Sequence, residues 1–289
     1  VAVPPPLTVT RLLTEARPDV AWLVIAVALA ALYVSGVRRL AERDRRWSPA
    51  RTTAFMSGVG VLVFATCSGL AAYDQVLFSA HVTQHLLLGM VAPMLLALGA
   101  PITLALQASS RATQVGLLGL MTSKVAKALS HPAVAWLLFG GSMVVLYTTP
   151  LYELSLRNGL VHGAVHLHVF LVGCLFFWAV VGIDRAPVQL SHPVRLGLVL
   201  LAIPFHAFLG IVLLSMHEPL AADWYAELGR TWGASALSDQ RTGAGLMWGV
   251  GDLLGLVAGG VVLLQWMAHD EREAKRLDRR LADERASQG

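Results

Sequence analysis

Seven stretches of about 20 consecutive apolar residues dominate this 289-residue chain, and about 20 is the number an α-helix needs to cross the hydrocarbon core of a bilayer. In hydrocarbon every backbone N–H and C=O must be satisfied within the protein, so only helices and closed barrels span. Continuous apolar runs, as opposed to strict alternation, select helices. The spans read as roughly 19–40, 52–72, 76–100, 132–150, 159–183, 193–217 and 241–268. Only 14% of residues are charged, against about 25% in a soluble domain. The expected fold is therefore all-α, a polytopic membrane protein of seven transmembrane helices. Segment 108–130 is amphipathic, too polar to span, and is expected to lie at the interface. Residues 1–18 read as a linker or short outer-face segment, 19–268 as the membrane domain and 269–289 as a charged cytoplasmic tail continuing the last helix.

Orientation follows from Lys and Arg, which accumulate on the cytoplasmic side. Of the 22 basic residues, all but five fall in 38–51, 101–131, 184–195 or after His269. The five on the other side are Arg11, Arg17, Arg157, Arg230 and Arg241. This places the N-terminus outside and the C-terminus in the cytoplasm. The net charge of +4 thus follows membrane topology and gives no reason to expect a nucleic-acid partner. Two cysteines, Cys67 and Cys174, both in apolar runs, exclude a disulfide framework. The chain begins at Val1 with a Pro-rich stretch, without Met and without a signal-peptide pattern. It is read as processed or as a piece of a longer protein.

Ten histidines are present, and seven lie in the spans. An ionisable ring in hydrocarbon is costly and by default marks a functional site. His81/His85 and His162/His166 are spaced four apart, so each pair shares one helix face. Both helices run inward, which puts the first pair about 7 and 13 Å and the second about 5 and 10 Å below their outer ends. Matched depth allows up to four imidazoles to meet at one metal, and neutral imidazole suits copper, zinc and iron. His206, about 17 Å from the outer surface, shares a face with His217, with Gly210 between them. His168 points about 200° from His166 on an ideal helix, so it serves a different neighbour or the helix is distorted. Met90, Met94 and Met216 are soft candidates favouring Cu(I), although Met is more often packing; Cys67 could supply a thiolate. Asp252 falls at the depth of His206, and a His206–Asp252 outer-sphere or proton-relay pair is one reading, with an ordinary interhelical hydrogen bond as the other. Asp239 and Gln240, at the mouth of the last helix, are further outer-sphere or proton-relay candidates, with Asp239 read equally as the N-cap of that helix. Gly245, Gly249, Gly251, Gly255 and Gly259 form small-residue packing rows, and Pro204 should kink the sixth helix.

The segments HVTQHLLLGMVAPMLLALGAPITLAL (81–106), VHLHVFLVGCLFFW (165–178), PFHAFLGI (204–211) and ADWY…LSDQRTGAGLMW (222–248) resemble the CtaG family of cytochrome c oxidase assembly factors. The resemblance covers about 20–268. It implies a seven-helix bacterial plasma-membrane protein handling copper for the oxidase, with a cytochrome c oxidase subunit as partner. In actinobacteria such a domain is often fused behind a CopD-like membrane domain. The family's pattern matches His81, His85, the histidines of the fifth helix including His168, His206, and the Asp239/Gln240 mouth. His217 lies outside that pattern. Helix geometry selects His166 and the resemblance selects His168, so both remain candidates.

No Ser–His–Asp arrangement, P-loop or dinucleotide fingerprint occurs, so a non-enzymatic role is expected. The leading reading is a copper chaperone delivering its ion to the oxidase in the outer half of the membrane. A bis-histidine haem protein carrying electrons and a copper permease are the alternatives.

Overall fold

The computed structural model describes residues 3–288; residues 1 and 2 of the N-terminal segment and residue 289 of the tail lie outside the described residues. The described chain is helical, without strands. Among the described residues six helices are long and apolar enough to cross a membrane, or seven when the bent pair Pro132–Thr148 and Leu151–Arg157 is counted as one span. In order the spans are Val20–Ala41, Pro49–Tyr73, Phe78–Leu98, Pro132–Thr148 with Leu151–Arg157, Gly159–Val181, His192–Ser215 and the first half of Ala236–Gln288.

Local chemistry sets the span ends. Asp19 caps the first span by accepting from Ala21 N at 2.9 Å and Trp22 N at 3.3 Å, and Asn158 does the same for the fifth through Leu160 N and Val161 N. Pro49 and Pro193 open the second and sixth, where a missing N–H is harmless. The third ends where Ala100 turns left-handed at φ +50°. The segment that follows forms short helices at Pro101–Ala108, Arg111–Thr122 and Lys124–Leu129. The last two bury no residue.

Three features depart from straight spans. The third helix contains a π turn at Leu87–Val91. Pro93 lacks the N–H that would bond the Gly89 carbonyl, and the freed turn widens. A second π turn, Leu137–Gly141, interrupts the fourth span. The fourth span, read from the sequence as roughly 132–150, bends by 76° before Leu151–Arg157, since Thr149 is extended and Pro150 cannot donate. The sixth helix continues through Pro204 from His192 to Ser215. The seventh runs unbroken for 53 residues, starting at Ala236, not at 241.

Close backbone approach, not hydrophobicity, holds helices together in lipid. At Gly173 an added Cβ would lie 2.3 Å from the Gly89 carbonyl oxygen, so the third and fifth spans touch backbone to backbone beside the histidine pairs. Gly255 and Gly259 of the last helix face Ile203 and Val199 of the sixth, and Gly251 faces His206. Gly245 and Gly249 meet nothing within 4 Å, so the expected packing row is shorter than the sequence suggested. The N-terminal segment is a strap across this end of the bundle. Gly69 N bonds Leu12 O at 2.9 Å, Tyr73 Oη bonds Pro5 O at 2.7 Å, and Leu7 and Leu12 pack on Leu70, Tyr73 and Leu77.

Candidate metal centre

Third and fifth spans start at the same end of the bundle, so their first turns lie side by side and the two i,i+4 pairs face each other. Ring centroids are 4.1 Å apart for His81/His85 and 4.2 Å for His162/His166. Across the pairs they are 5.3 Å for His85/His166, 6.2 Å for His81/His162 and 6.3 Å for His81/His166. Ligand atoms of His81, His85 and His166 all lie within 4.8 Å of one another, and so do those of Asp74, His162 and His166. Metal–imidazole bonds of about 2.0–2.1 Å allow two ligand atoms to be about 4 Å apart.

His81 is 0% exposed, and neither of its ring nitrogens has a partner. His85 Nε2, His162 Nδ1 and His166 Nε2 are buried without partners as well. A buried polar atom left unpaired costs about 1–3 kcal/mol, and native interiors rarely leave one. Four of these nitrogens, one from each ring, can turn a lone pair toward a cation, the other His81 nitrogen being its N–H, and such a cluster fits a cation far better than a packed core. His162 Nε2 is paired at 2.7 Å with Asp74 Oδ2. A carboxylate only accepts, so Nε2 carries the proton and Nδ1 presents its lone pair. His85 Nδ1 lies 3.5 Å from Tyr147 Oη. Tyr152, 5.1 Å from the His81 ring by centroids, bonds Tyr225 Oη at 2.6 Å. Burial pushes the pKa of Tyr225 up, so this phenol stays protonated. A cavity of about 230 Å³, bordered by Arg17, Asp19, Asp74, Gln84, His162 and His166, opens from the cluster toward the strap.

Other candidates lie elsewhere. His168 is exposed on the outer flank of the fifth span, where it borders an apolar groove of about 650 Å³ against the fourth. The helix is regular there, so His166 belongs to the cluster and His168 does not. His206 is buried apart from the four, with its Nδ1 3.0 Å from Ala202 O. No His206–Asp252 hydrogen bond forms among the described residues. Gly251 turns toward the His206 ring, which directs its neighbour Asp252 away, and Asp252 Oδ1 is buried without a partner. His217 lies beyond the end of the sixth helix and is exposed, so its expected alignment with His206 does not arise. Gly210 packs on Trp248 instead. Met216 Sδ accepts from Gln240 Nε2 at 3.6 Å, and Cys67 Sγ sits 3.8 Å from Asp19 O.

Asp239 and Gln240 join elements together. Asp239 accepts from Ser79 N at 3.2 Å and Ser79 Oγ at 2.5 Å, capping the third helix, not its own. Ser235 accepts from Ser238 N at the start of the seventh. Gln240 holds Leu220 N at 2.6 Å and Leu213 O at 3.2 Å. Sequence reasoning missed Asp74, Tyr147 and Tyr152. For Asp74 a signal existed: a carboxylate in a loop of a few residues just before the N-terminal end of the His81 helix.

The chain aligns over 284 residues at 36% identity with uncharacterized proteins of Mycobacterium bovis and Mycobacterium tuberculosis, covering 96% of this chain. An uncharacterized protein of Mycobacterium leprae is 37% identical over 284 residues. The chain spans 43% of the length of these relatives. No solved structure matches. The family model for the cytochrome c oxidase caa3 assembly factor, CtaG, matches residues 31–269, and the chain belongs to that family.

Proposed function

We propose that this oxidase assembly factor works as a membrane copper chaperone, holding copper on the imidazoles of its third and fifth spans and releasing it to cytochrome c oxidase. The observation that carries the reading is the set of five unpartnered buried nitrogens on His81, His85, His162 and His166. The distribution of basic residues orients the cluster toward the outer face of the plasma membrane, so the cargo reaches an oxidase subunit without entering the cytoplasm. Three convergent imidazoles leave a coordination position open, which suits ligand exchange better than a closed site. The lipid-facing groove bordered by His168 is the surface that favours lateral handover.

Two competing readings have less support. A haem between two axial histidines needs more than the roughly 300 Å³ of a small ligand site, whereas cavities of about 230 and 30 Å³ adjoin the rings. A permease needs a polar path onward, but below His206 the stacked rings of Phe139 and Phe176, 4.4 Å apart, leave a void of only about 10 Å³.

Elemental analysis of the purified protein, together with the copper content of the oxidase in cells carrying His81→Ala/His166→Ala, tests the proposal. The wild type should carry copper and the variant should carry less, and the oxidase should be copper-deficient. A fully copper-loaded oxidase in the variant strain would overturn it.

A further inference from the structure

Beyond His85 lies a chamber of about 30 Å³ whose walls include His85, Met90, Met143, Met247 and His206. Its lining is otherwise apolar apart from Tyr147. Met is the residue best able to fill irregular gaps, yet here three methionines surround a void that stays open. Both π turns flank it. Met90 lies in the first and Phe139, whose ring centroid is 5.6 Å from that of His206, lies in the second. Such turns re-aim side chains and are frequent at functional sites. The Ala202 carbonyl can only accept, so His206 Nδ1 carries the proton and Nε2 keeps its lone pair. At the other end, His85 Nε2 is buried without a partner. The chamber thus offers thioethers and neutral imidazole in a site of a size that suits one ion or one water.

We infer that this chamber is a second metal site, selective for a soft monovalent cation, Cu(I), which shares His85 with the imidazole cluster. Thioether ligands discriminate against hard divalent ions and favour Cu(I). The ion moves from cluster to chamber by ligand exchange at His85, with no change of oxidation state. Met143 also borders the lipid-facing groove, so one thioether separates the chambered ion from the lateral surface. The inference rests on the copper reading above and adds an ordered second stop.

The experiment is a titration of the metal-free, detergent-solubilised chain, labelled with ¹³C at the methionine methyls, using Ag(I) and then Cu(I) under reductant. The methyl signals of Met90, Met143 and Met247 should shift together while those of Met56 and Met267 stay in place. One equivalent should remain bound in His81→Ala/His166→Ala. Met90→Leu/Met143→Leu/Met247→Leu should lose one equivalent and keep the other. Three methyl signals that stay fixed through saturation would overturn the inference, a readout that needs no substitution. So would a triple variant with wild-type stoichiometry. If the methyls shift but the oxidase stays fully loaded in the His81/His166 variant, the chamber stands and the delivery role falls. If the cluster binds and the methyls are silent, the reverse holds.

Discussion

Asp74→Asn is the most direct probe of the electrostatics. The 2.7 Å contact from His162 Nε2 to Asp74 Oδ2 fixes the tautomer that leaves Nδ1 free for metal. An asparagine placed there offers an NH₂ as well as a carbonyl. When the NH₂ faces the ring, Nε2 becomes the acceptor and the proton moves to Nδ1, closing that ligand. Even the carbonyl rotamer removes the negative charge that makes the ring a better donor. Loss of such an outer hydrogen bond lowers metal affinity about 10–100-fold, or about 1.4–2.7 kcal/mol. That matches the roughly 1.5–3 kcal/mol of a hydrogen bond to a charged group. Competition of the purified protein against a chromophoric copper chelator measures it, with circular dichroism confirming helix content. Unchanged affinity would refute the orienting role. A loss beyond about a thousandfold would also refute it, because it would make Asp74 a ligand in its own right beside His162 and His166.

Two other substitutions follow from the packing. Gly173→Ala places a Cβ against the Gly89 carbonyl, a backbone atom with little room to yield. It should destabilise by at least the roughly 1–3 kcal/mol of an overpacked core and weaken copper binding by separating the paired histidines; thermal melting monitored by size-exclusion chromatography, alongside copper titration, checks both. His168→Ala removes an exposed ring outside the cluster, so copper affinity should stay within about twofold of wild type, well under 1.4 kcal/mol. A tenfold loss in that titration would mean that His168, and not His166 alone, faces the ion.

The legible and illegible parts of the site divide along physical lines. Span length and the i,i+4 spacing are properties of one helix, and they were enough to bring His81, His85, His162 and His166 together. Depth, however, is only one of two coordinates on a helix. His206 and Asp252 were matched in depth, but Gly251 holds the azimuth that faces His206. The same distinction decides His166 over His168, two residues apart and on opposite sides. The π turns were invisible because their cause is split between a proline, a glycine carbonyl and a neighbouring helix. Asp74 lies in a short connection that no periodicity marks. Met143 and Met247 come from spans whose contact with the third helix no local pattern announces.

His81 shows what such a site costs the empty protein. Both of its nitrogens are buried and unpaired, so the metal-free state bears an unsatisfied group that a hydrocarbon side chain of similar bulk would not. His81→Leu should therefore raise metal-free stability, by at most about 1–3 kcal/mol, less where the unfolded chain in lipid finds partners of its own. The same variant should lose the stabilisation that copper gives the wild type, about 2.7 kcal/mol at a hundredfold excess over Kd. Thermal melting in detergent with and without copper reads both quantities in one experiment. If metal-free His81→Leu melts well below the wild type, the imidazole is a bonded structural group, and the five open nitrogens no longer argue for a bound cation.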